Sequence, residues 1–412
     1  MRRSRVLLSE ASSLTAREFV TVLGRCGVDV EAVSPASAPL ARFSRWCHRV
    51  HRAPAPSVDP IGYLQRVDGV LAAGRFDALL ATHEQAWLFA AGRTLLPHAT
   101  MAIAELGAFE QVQSKTSFAA LLDQLGLPQP QWRLVETSDD LSALDFPVWV
   151  KAAYSTAGRG VVRAENAEQA RAAWTAMRTA SDSTSVMIQQ PAEGRYAQVQ
   201  GLFDHGRLVA AAVSELLATG AGGSAAARVS VGHPLAVDAL TVLGDHLGWH
   251  GGITLDYLHV DGRPAFIECN PRTVEPGNAW AAGVDLPGLT ITLAQGGPLP
   301  PRPQIARPGI RTRSTMAIAL GTAEARGTRR AILSSIGQAV ATRGVLHGTT
   351  EVLTPVLPDP PSLIPFGIAT GTVLTSPSRV ATLAAGTVET YAVTPAAVDA
   401  VRRHAPTDEP AP

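Results

Sequence analysis

A stretch near the middle of the chain, residues 251–272 (GGITLDYLHVDGRPAFIECNPR), constrains the fold most strongly. Two segments rich in apolar residues flank the turn sequence VDGR, a pattern that predicts two antiparallel strands joined in a hairpin. Side chains two positions apart on a strand project from the same face, so Glu268 and Asn270 point together and Asp256 can reach them from the partner strand. The hairpin is therefore predicted to carry three oxygen donors on one face.

These three donors are of the kind that Mg²⁺ prefers, because this ion accepts a few protein oxygens and leaves its other positions to water and phosphate. Pro271 follows Asn270 and cannot donate to a strand ladder, so the strand is predicted to end there and Arg272 to turn toward the same site. A lone acidic residue at such a position is more often a solvated charge at the edge of a sheet, and this is the alternative for Asp256 taken singly. The combination predicts a magnesium site beside an arginine that can hold an anion.

A second segment, FPVWVKAAYSTAGRGVVRA, has the ingredients of a phosphate-binding turn. An apolar strand ends in Lys151, a loop of small residues contains Ser155, Gly158 and Gly160, and another strand follows. Glycines let backbone N–H groups approach an oxyanion, and a lysine adds a movable positive charge. A hairpin with a flexible turn and a surface lysine is the equally weighted alternative.

The composition excludes several classes of protein. Lys plus Arg (35) equals Asp plus Glu (35), so no overall field would attract nucleic acid, which we do not expect as a partner. The sequence has no uninterrupted apolar stretch of about 18 residues, so no membrane span is predicted. Three cysteines, Cys26, Cys47 and Cys269, do not form a disulfide framework, and we expect a soluble, cytoplasmic protein.

The 412 residues exceed the size of a single core, and the chain divides into predicted units. Residues 1–106 alternate strands and helices, beginning with strands near 6–9 and 28–33, which predicts an open parallel sheet. No G-x-G-x-x-G follows the first strand, so no nicotinamide cofactor is assigned. From residue 146 onward, turn sequences such as DHGR and VDGR predict antiparallel hairpins in an α+β region.

The last part of the chain is predicted to be a third unit. The proline-rich segment 296–309 is interpreted as a linker or an extended wrap, and 322–343 as helical. The sequence DPPSLIP is interpreted as a loop, and TPAAVDAVRRH as a closing helix with Thr394 as its cap. This unit is predicted either to pack against the rest of the chain or to form a homodimer surface.

The order of these motifs resembles the ATP-grasp superfamily. Lysine, glycine-rich turn, hinge and E-x-N-P-R occur in that family order over about residues 107–295. The resemblance implies a nucleotide clasped between two α+β subdomains, with a lid over roughly 135–190. It also implies an N-terminal α/β domain at 1–106 of the type that precedes ATP-grasp units, an ATP-grasp domain at 107–300 and a C-terminal α+β extension at 301–412.

The resemblance implies roles for residues at matching positions. Lys115 and Lys151 match two nucleotide-binding lysines, although the acidic residue that often precedes the first of these is here Ser114. Asp256, Glu268 and Asn270 match the ligands of Mg²⁺, with Mn²⁺ as an alternative ion. The remaining matches are the loop that closes over the triphosphate (Ser155, Gly158, Gly160), the hinge that reads the adenine edge (Gln189, Gln190, Pro191) and Glu193 as a substitute for the family's ribose-binding glutamate.

The resemblance further implies a carboxylate–amine ligase that uses ATP, a small-molecule carboxylate and an amine. The γ-phosphoryl group would pass to the carboxylate, and the acyl phosphate would then react with the amine to give an amide, ADP and phosphate. Arg272 would steady the transferring phosphoryl group. Arg228, interpreted as part of the loop GGSAAARVS, would anchor the substrate carboxylate, and a solvated loop charge is its alternative. A carboxylase that activates bicarbonate and an ATP-binding regulatory module without turnover are the competing hypotheses.

Other candidate residues are assigned no chemical role. Cys47, His48 and His51 lie close together, but no second pair has the spacing of a zinc site. Cys269 alternates with the proposed ligands and is predicted to fill the core on the opposite face. His250 precedes two glycines, and a single histidine in a turn is more often structural.

Overall fold

The computed structural model describes residues 3–141, 144–155, 160–180 and 185–404. Its N-terminal part is a parallel sheet in the order β3-β2-β1-β4, as predicted. The strands are β1 (Arg5–Leu8), β2 (Asp29–Ser34), β3 (Cys47–Arg52) and β4 (Ala78–Leu80), with helices α1 (Leu14–Arg25), α2 (Pro60–Ala73) and α3 (Gln85–Ala91). The apolar run of β1 is completely buried at Val6, Leu7 and Leu8, as a strand covered on both faces requires.

A helical pair and a small antiparallel sheet follow. The helices are α4 (Leu106–Gln113) and α5 (Lys115–Gln124), and the sheet, in the order β5-β8-β6-β7, is accompanied by α6 (Ala167–Ala180). Its strands are β5 (Trp132–Val135), β6 (Val148–Ala152), β7 (Val161–Ala164) and β8 (Val186–Gln189). Val148, Val150 and Ile188 form a core with α6 that is separate from the main core, so this unit has its own packing.

A large sheet in the order β13-β12-β9-β10-β11-β15-β16 forms the centre of the molecule, and β14 pairs with β10. Its elements, with the helices between them, are β9 (Arg195–Asp204), β10 (Arg207–Thr219), β11 (Ala225–Ser230), α7 (Pro234–His246), β12 (Gly251–Val260), β13 (Arg263–Asn270), α8 (Gly277–Ala281), α9 (Leu286–Ala294), β14 (Gln304–Ile305), β15 (Arg311–Arg313) and β16 (Thr350–Glu351). The predicted DHGR and VDGR turns join β9 to β10 and β12 to β13, with Gly206 and Gly262 at positive φ. Both hairpin predictions are confirmed.

The two faces of the central strands differ in character. Val199, Leu255 and Cys269 on one face join the main hydrophobic core with α5 and α7, which confirms the core role predicted for Cys269. The other face is polar around the predicted metal ligands, where it carries Gln198 and Gln200, and apolar at Leu202, which packs with α8 and α9. Period-two alternation along β9, β12 and β13 thus separates the core from the candidate site.

The C-terminal helices are α10 (Thr315–Arg326), α11 (Arg329–Val340), α12 (Leu363–Thr375), α13 (Arg379–Glu389) and α14 (Pro395–His404). The helical prediction over 322–343 is confirmed in part, because α10 and α11 cover most of this range, but Gly327 at φ +60° ends α10 and Thr328 caps α11. The loop predicted for DPPSLIP is also wrong in part, since α12 begins at Leu363. The Thr394 cap is confirmed, with its Oγ1 accepting from the N–H of Ala397 at 3.2 Å.

Residues beyond 300 pack closely with the rest of the molecule. Strands β14 to β16 join the large sheet, and α14 packs against α2 and α3. The predicted domain boundary at residue 300 therefore remains a proposal. Among the helices in the described part of the chain, none combines the length and apolar composition that a membrane span requires.

A buried ion pair joins the N-terminal and C-terminal parts. Arg17 on α1 lies 2.6 Å from Asp359, and both side chains are completely buried. Arg17 also donates to Ser362, and Asp359 accepts from the backbone N–H of Arg45. Each charge is therefore satisfied only while these segments remain packed together.

Candidate active site

The predicted metal ligands lie in two cross-strand rows on the polar face. Asp256 on β12 is directly opposite Glu268 on β13 and Gln198 on β9. In the next row, Thr254 is opposite Asn270 and Gln200. The amide nitrogen of Asn270 donates to Oδ2 of Asp256 at 3.2 Å, so the structure brings the three predicted donors together.

Asp256 has the environment expected of a cation ligand. Its side chain is buried, and Oδ1 has no hydrogen-bond partner within the described ranges of the chain. Burial, together with the charge of Glu268, raises the pKa of Asp256 to about 7. A buried carboxylate oxygen without a donor is costly, and a divalent ion would satisfy it. The donor set, two carboxylates and an amide, fits Mg²⁺ or Mn²⁺.

Glu268 is paired with the first predicted lysine. The Nζ atom of Lys115 lies 2.8 Å from Oε1 of Glu268. Burial alone would raise the pKa of Glu268, but the charges of Lys115, Lys151 and Arg272 outweigh burial and lower it. Lys115 is positioned at the start of α5 by Ser114, whose side chain caps that helix. The pair places a cation and a carboxylate side by side next to Asp256.

Lys151 lies near the end of β6, as predicted, and is almost completely buried. Its Nζ donates to Oε1 of Gln189 at 2.6 Å and to the carbonyl of Ile267 at 3.4 Å. Ile267 is the extra residue of an irregularity in the β12–β13 pairing, which exposes its carbonyl to the lysine. Burial lowers the pKa of Lys151 to about 8. The charge of Lys115 also lowers this pKa, whereas the charge of Glu268 raises it.

The glycine-rich turn after β6 is described only at its two ends. Among the described residues, the buried hydroxyl of Ser155 has no hydrogen-bond partner, and Gly160 has φ +76°, a conformation that favours glycine. The carbonyl of Gly160 accepts from the N–H of Ala152 at 2.8 Å, which closes the turn. Gly158 lies outside the described residues. Its assignment as part of a phosphate-binding loop stays a prediction.

The predicted hinge follows β8. Gln189 is buried and bonded to Lys151, whereas the backbone N–H of Gln190 is already donated to the carbonyl of Gln131 at 2.8 Å. Pro191 has no N–H. The backbone groups of Gln190 and Pro191 that can contact the edge of a base are therefore their carbonyls. Glu193 is exposed. Its role toward a ribose stays a prediction.

Arg272 faces the same cleft as the metal ligands. This cleft of about 310 Å³ is lined by Glu84, Lys115, Ser155, Glu268, Asn270 and Arg272, among others. The backbone of Arg272 is fixed by Asn270 and Thr254, and its Nε is buried without a hydrogen-bond partner. The guanidinium therefore has a donor available for an anionic group in the cleft.

The interpretation of Arg228 as a loop residue is wrong. It lies on β11, its side chain is buried, and its Nη2 donates to Glu275 at 2.6 Å. Its other nitrogen, Nη1, donates to Gln198, the residue opposite Asp256. The solvated alternative is thereby excluded, and Arg228 is connected to the metal-ligand row through one side chain.

Sequence reasoning missed two residues at the carboxyl end of β4. Glu84 lines the cleft. Burial lowers the pKa of the His83 imidazole, and the positive charge of Arg272 lowers it further. Ligands in open parallel sheets bind at the carboxyl ends of strands where the strand order reverses, which here is between β1 and β4. Applied to the segment ATHEQ, which follows the last strand of this sheet, that rule predicts that His83 and Glu84 lie near a ligand.

The cluster of Cys47, His48 and His51 lies along β3. His48 pairs with Asp29 at 3.2 Å and His51 with Glu31 at 2.6 Å, both on the neighbouring strand β2. These two histidines therefore pair with carboxylates on the neighbouring strand.

Comparisons with known proteins address the fold. No protein-family model matches the chain. The carbamoyl phosphate synthase large chain of Pyrococcus furiosus is 22% identical over 203 residues, 46% of this chain and 19% of that protein. Multifunctional protein ura1 of Schizosaccharomyces pombe is 22% identical over 211 residues, 48% of this chain and 9% of that protein. The matched segments span less than a fifth of either relative.

Two solved structures resemble most of the chain. The biotin carboxylase domain of Hydrogenobacter thermophilus 2-oxoglutarate carboxylase, a dimer with MgADP and bicarbonate, has a TM-score of 0.58 and 13% identity, covering 76% of this chain and 74% of its own. The L-amino acid ligase of Bacillus licheniformis has a TM-score of 0.54 and 18% identity, covering 72% and 75%. The chain has the fold of the ATP-grasp superfamily, which confirms the predicted resemblance at the level of the fold.

Proposed function

We propose that this protein is an ATP-dependent carboxylate–amine ligase that works through an acyl phosphate. One observation carries the proposal: two lysines and three oxygen donors meet on the polar face of the central sheet, where Oδ1 of Asp256 lacks a partner. Asp256, Glu268 and Asn270 would hold Mg²⁺, which, when bound, neutralises developing charge on the phosphates. The fold supports nucleotide binding at this place but not a particular substrate.

The Lys115–Glu268 pair suggests how the site receives a nucleotide. In this structure each group neutralises the other at 2.8 Å. On binding, Glu268 would exchange the lysine for the divalent cation, and Lys115 would exchange the carboxylate for phosphate oxygens. Cation binding to Glu268 would free Lys115 for the phosphates, and nucleotide binding to Lys115 would free Glu268 for the cation. Nucleotide and cation are therefore expected to strengthen each other's binding.

The chemistry then follows from the positions of the arginines. A carboxylate oxygen of the substrate attacks the γ-phosphorus, the bond to the β-phosphate oxygen breaks, and ADP leaves. Arg272 would stabilise the phosphoryl oxygens with its unpartnered Nε. The amine nitrogen next attacks the acyl carbon, phosphate leaves, and the amine loses a proton to give the amide.

The surroundings of Arg228 favour an amine-bearing substrate over bicarbonate. A narrow pocket, with about 10 Å³ of space open to water, is lined by Arg228, Glu275, Glu18 and Asn278, among others. It combines a guanidinium with two carboxyl groups, and burial together with Glu275 raises the pKa of Glu18 to about 8. A guanidinium suits a carboxylate and a carboxylate suits an ammonium group, so a substrate that carries both would replace the Arg228–Glu275 contact with its own charged groups.

An assay of ADP and phosphate release across a panel of carboxylates and amines tests the proposed function. We expect ADP release that requires both substrate types and yields an amide detectable by mass spectrometry. Formation of AMP would contradict the acyl phosphate. ADP release that depends strictly on bicarbonate would instead support a carboxylase, and tight ATP binding without turnover across the panel would favour a regulatory module.

The lowered pKa of Lys151 predicts a pH dependence of nucleotide binding. Its charged form dominates below about pH 8, so affinity for ADP should decline by up to about ten-fold between pH 7 and pH 9 as the charge is lost. Calorimetry in the presence of a chelator removes any contribution from metal binding at Asp256. The neutral variant Lys151→Met should bind ADP weakly at both pH values without this decline. An equal decline in that variant would contradict the assignment.

A further inference from the structure

A group of metal-ligating side chains lies at the opposite end of the central strands from the candidate active site. In the part of the chain that the structure describes, donor atoms of Asp204, His205 and His250 lie within 4.8 Å of one another. His250 and Asp256 are six residues apart along the β12 segment, which corresponds to about 20 Å in a strand. The group is thus separate from the proposed magnesium site.

We propose that Asp204, His205 and His250 bind a first-row transition-metal ion of the Zn²⁺ class. Oδ1 of Asp204 lies 3.7 Å from Nδ1 of His250, beyond hydrogen-bonding distance. Two ligands of one zinc ion, each about 2.0–2.2 Å from the metal, are separated by about 3–4 Å. The two atoms therefore have the spacing of ligands that share an ion.

The bonding of the individual donors supports the same assignment. Nδ1 of His250 is buried and accepts or donates no hydrogen bond in the part of the chain that the structure describes. Arg207 engages Oδ2 of Asp204 at 3.2 Å, which leaves Oδ1 directed toward His250.

The backbone holds these donors in place. His205 occupies the β9–β10 turn at φ +47°, a conformation uncommon for a residue other than glycine. The N–H of Gly206 donates to the carbonyl of Trp249 at 2.8 Å, which ties this turn to the segment that carries His250. Two imidazoles and one carboxylate suit zinc, nickel or cobalt and not Mg²⁺, and His205 is exposed, so solvent can complete the coordination.

Titration of the metal-free full-length protein with Co²⁺, followed by visible absorption and by competition with Zn²⁺, tests this proposal. We expect one ion per chain, displaced by Zn²⁺ and not by excess Mg²⁺. His205→Gln and His250→Gln should each weaken binding about ten-fold or more, since even residues that only orient metal ligands change affinity by 10–100-fold. His205 is an exposed turn residue, so its variant keeps the test valid if His250→Gln fails to fold.

The exposed histidine His347 provides the matched control, and His347→Gln should bind Co²⁺ as the unmodified protein does. The proposal is overturned if no stoichiometric binding occurs, if His205→Gln leaves the affinity unchanged, or if Asp256→Asn abolishes the Co²⁺ signal. The readout is independent of enzymatic turnover.

Discussion

Replacing Asp256 with asparagine is expected to reduce ADP release by about 10²- to 10³-fold, the usual effect of removing one electrostatic stabiliser of a transition state. The variant loses a carboxylate of the proposed cation site whose buried Oδ1 has no hydrogen-bond partner among the described residues. Asparagine has nearly the same shape, so the change removes charge with little loss of packing. Steady-state ADP release at saturating MgATP measures the effect.

The same substitution should not destabilise the protein above neutral pH. Burial and Glu268 raise the pKa of Asp256 to about 7, above its unfolded value, so its contribution to stability is lost as pH rises through 7. Asparagine does not titrate and avoids the cost of a buried negative charge. At pH 8 the melting temperature of Asp256→Asn should therefore equal or exceed that of the unmodified protein, which separates a functional loss from unfolding.

Asp238→Asn is the matched control, because Asp238 is exposed on α7, which packs on the opposite, apolar face of the sheet. It should change neither ADP release nor stability appreciably. Full activity in Asp256→Asn would remove Asp256 from the proposed metal site.

The largest effect on stability is expected at the buried Arg17–Asp359 pair. Asp359→Asn leaves the Arg17 guanidinium buried without its counter-charge, which should lower the free energy of unfolding by about 3–5 kcal/mol. The double variant Arg17→Met/Asp359→Asn should recover much of this loss, because no unpaired charge remains. Urea denaturation of the unmodified protein, the two single variants Asp359→Asn and Arg17→Met, and the double variant measures the coupling between the two residues.

A surface pair that also involves the C-terminal helix serves as the control. Arg402 on α14 lies 2.7 Å from Glu110 on α4, with both side chains more than 40% exposed. Arg402→Met should change the free energy of unfolding by about 1 kcal/mol or less. If Asp359→Asn cost no more than Arg402→Met, the buried pair would not hold the two parts of the chain together.

The sequence predicted most of what local alternation determines. The β12–β13 hairpin and the common face of Asp256, Glu268 and Asn270 follow from period-two spacing within about 20 residues, and the structure contains both. The N-terminal parallel sheet likewise follows from repeated strand–helix patterns. Local signals therefore located the main elements of the candidate site.

What the sequence did not predict depends on distant contacts. Arg228 follows a glycine-rich segment, a pattern that indicates a loop. Its strand partners on β10 and β15 lie up to about 85 residues away, so the nearby sequence does not reveal that it lies on a strand. His83 and Glu84 meet the cleft only after the N-terminal unit docks on the central sheet. The break at Gly327 had a local signal, since glycine is the residue that most often ends a helix, but the apolar periodicity continued across it.

The central claim is that Asp256, Glu268 and Asn270 hold a divalent cation on the phosphates of a bound nucleotide. Anomalous diffraction from crystals grown with Mn²⁺ and ADP tests it most directly. We expect an anomalous peak in contact with oxygens of all three side chains, with Lys115 released from Glu268 and directed to phosphate. A nucleotide bound elsewhere, or Mn²⁺ absent from these three side chains when ADP is present, would contradict the proposed site.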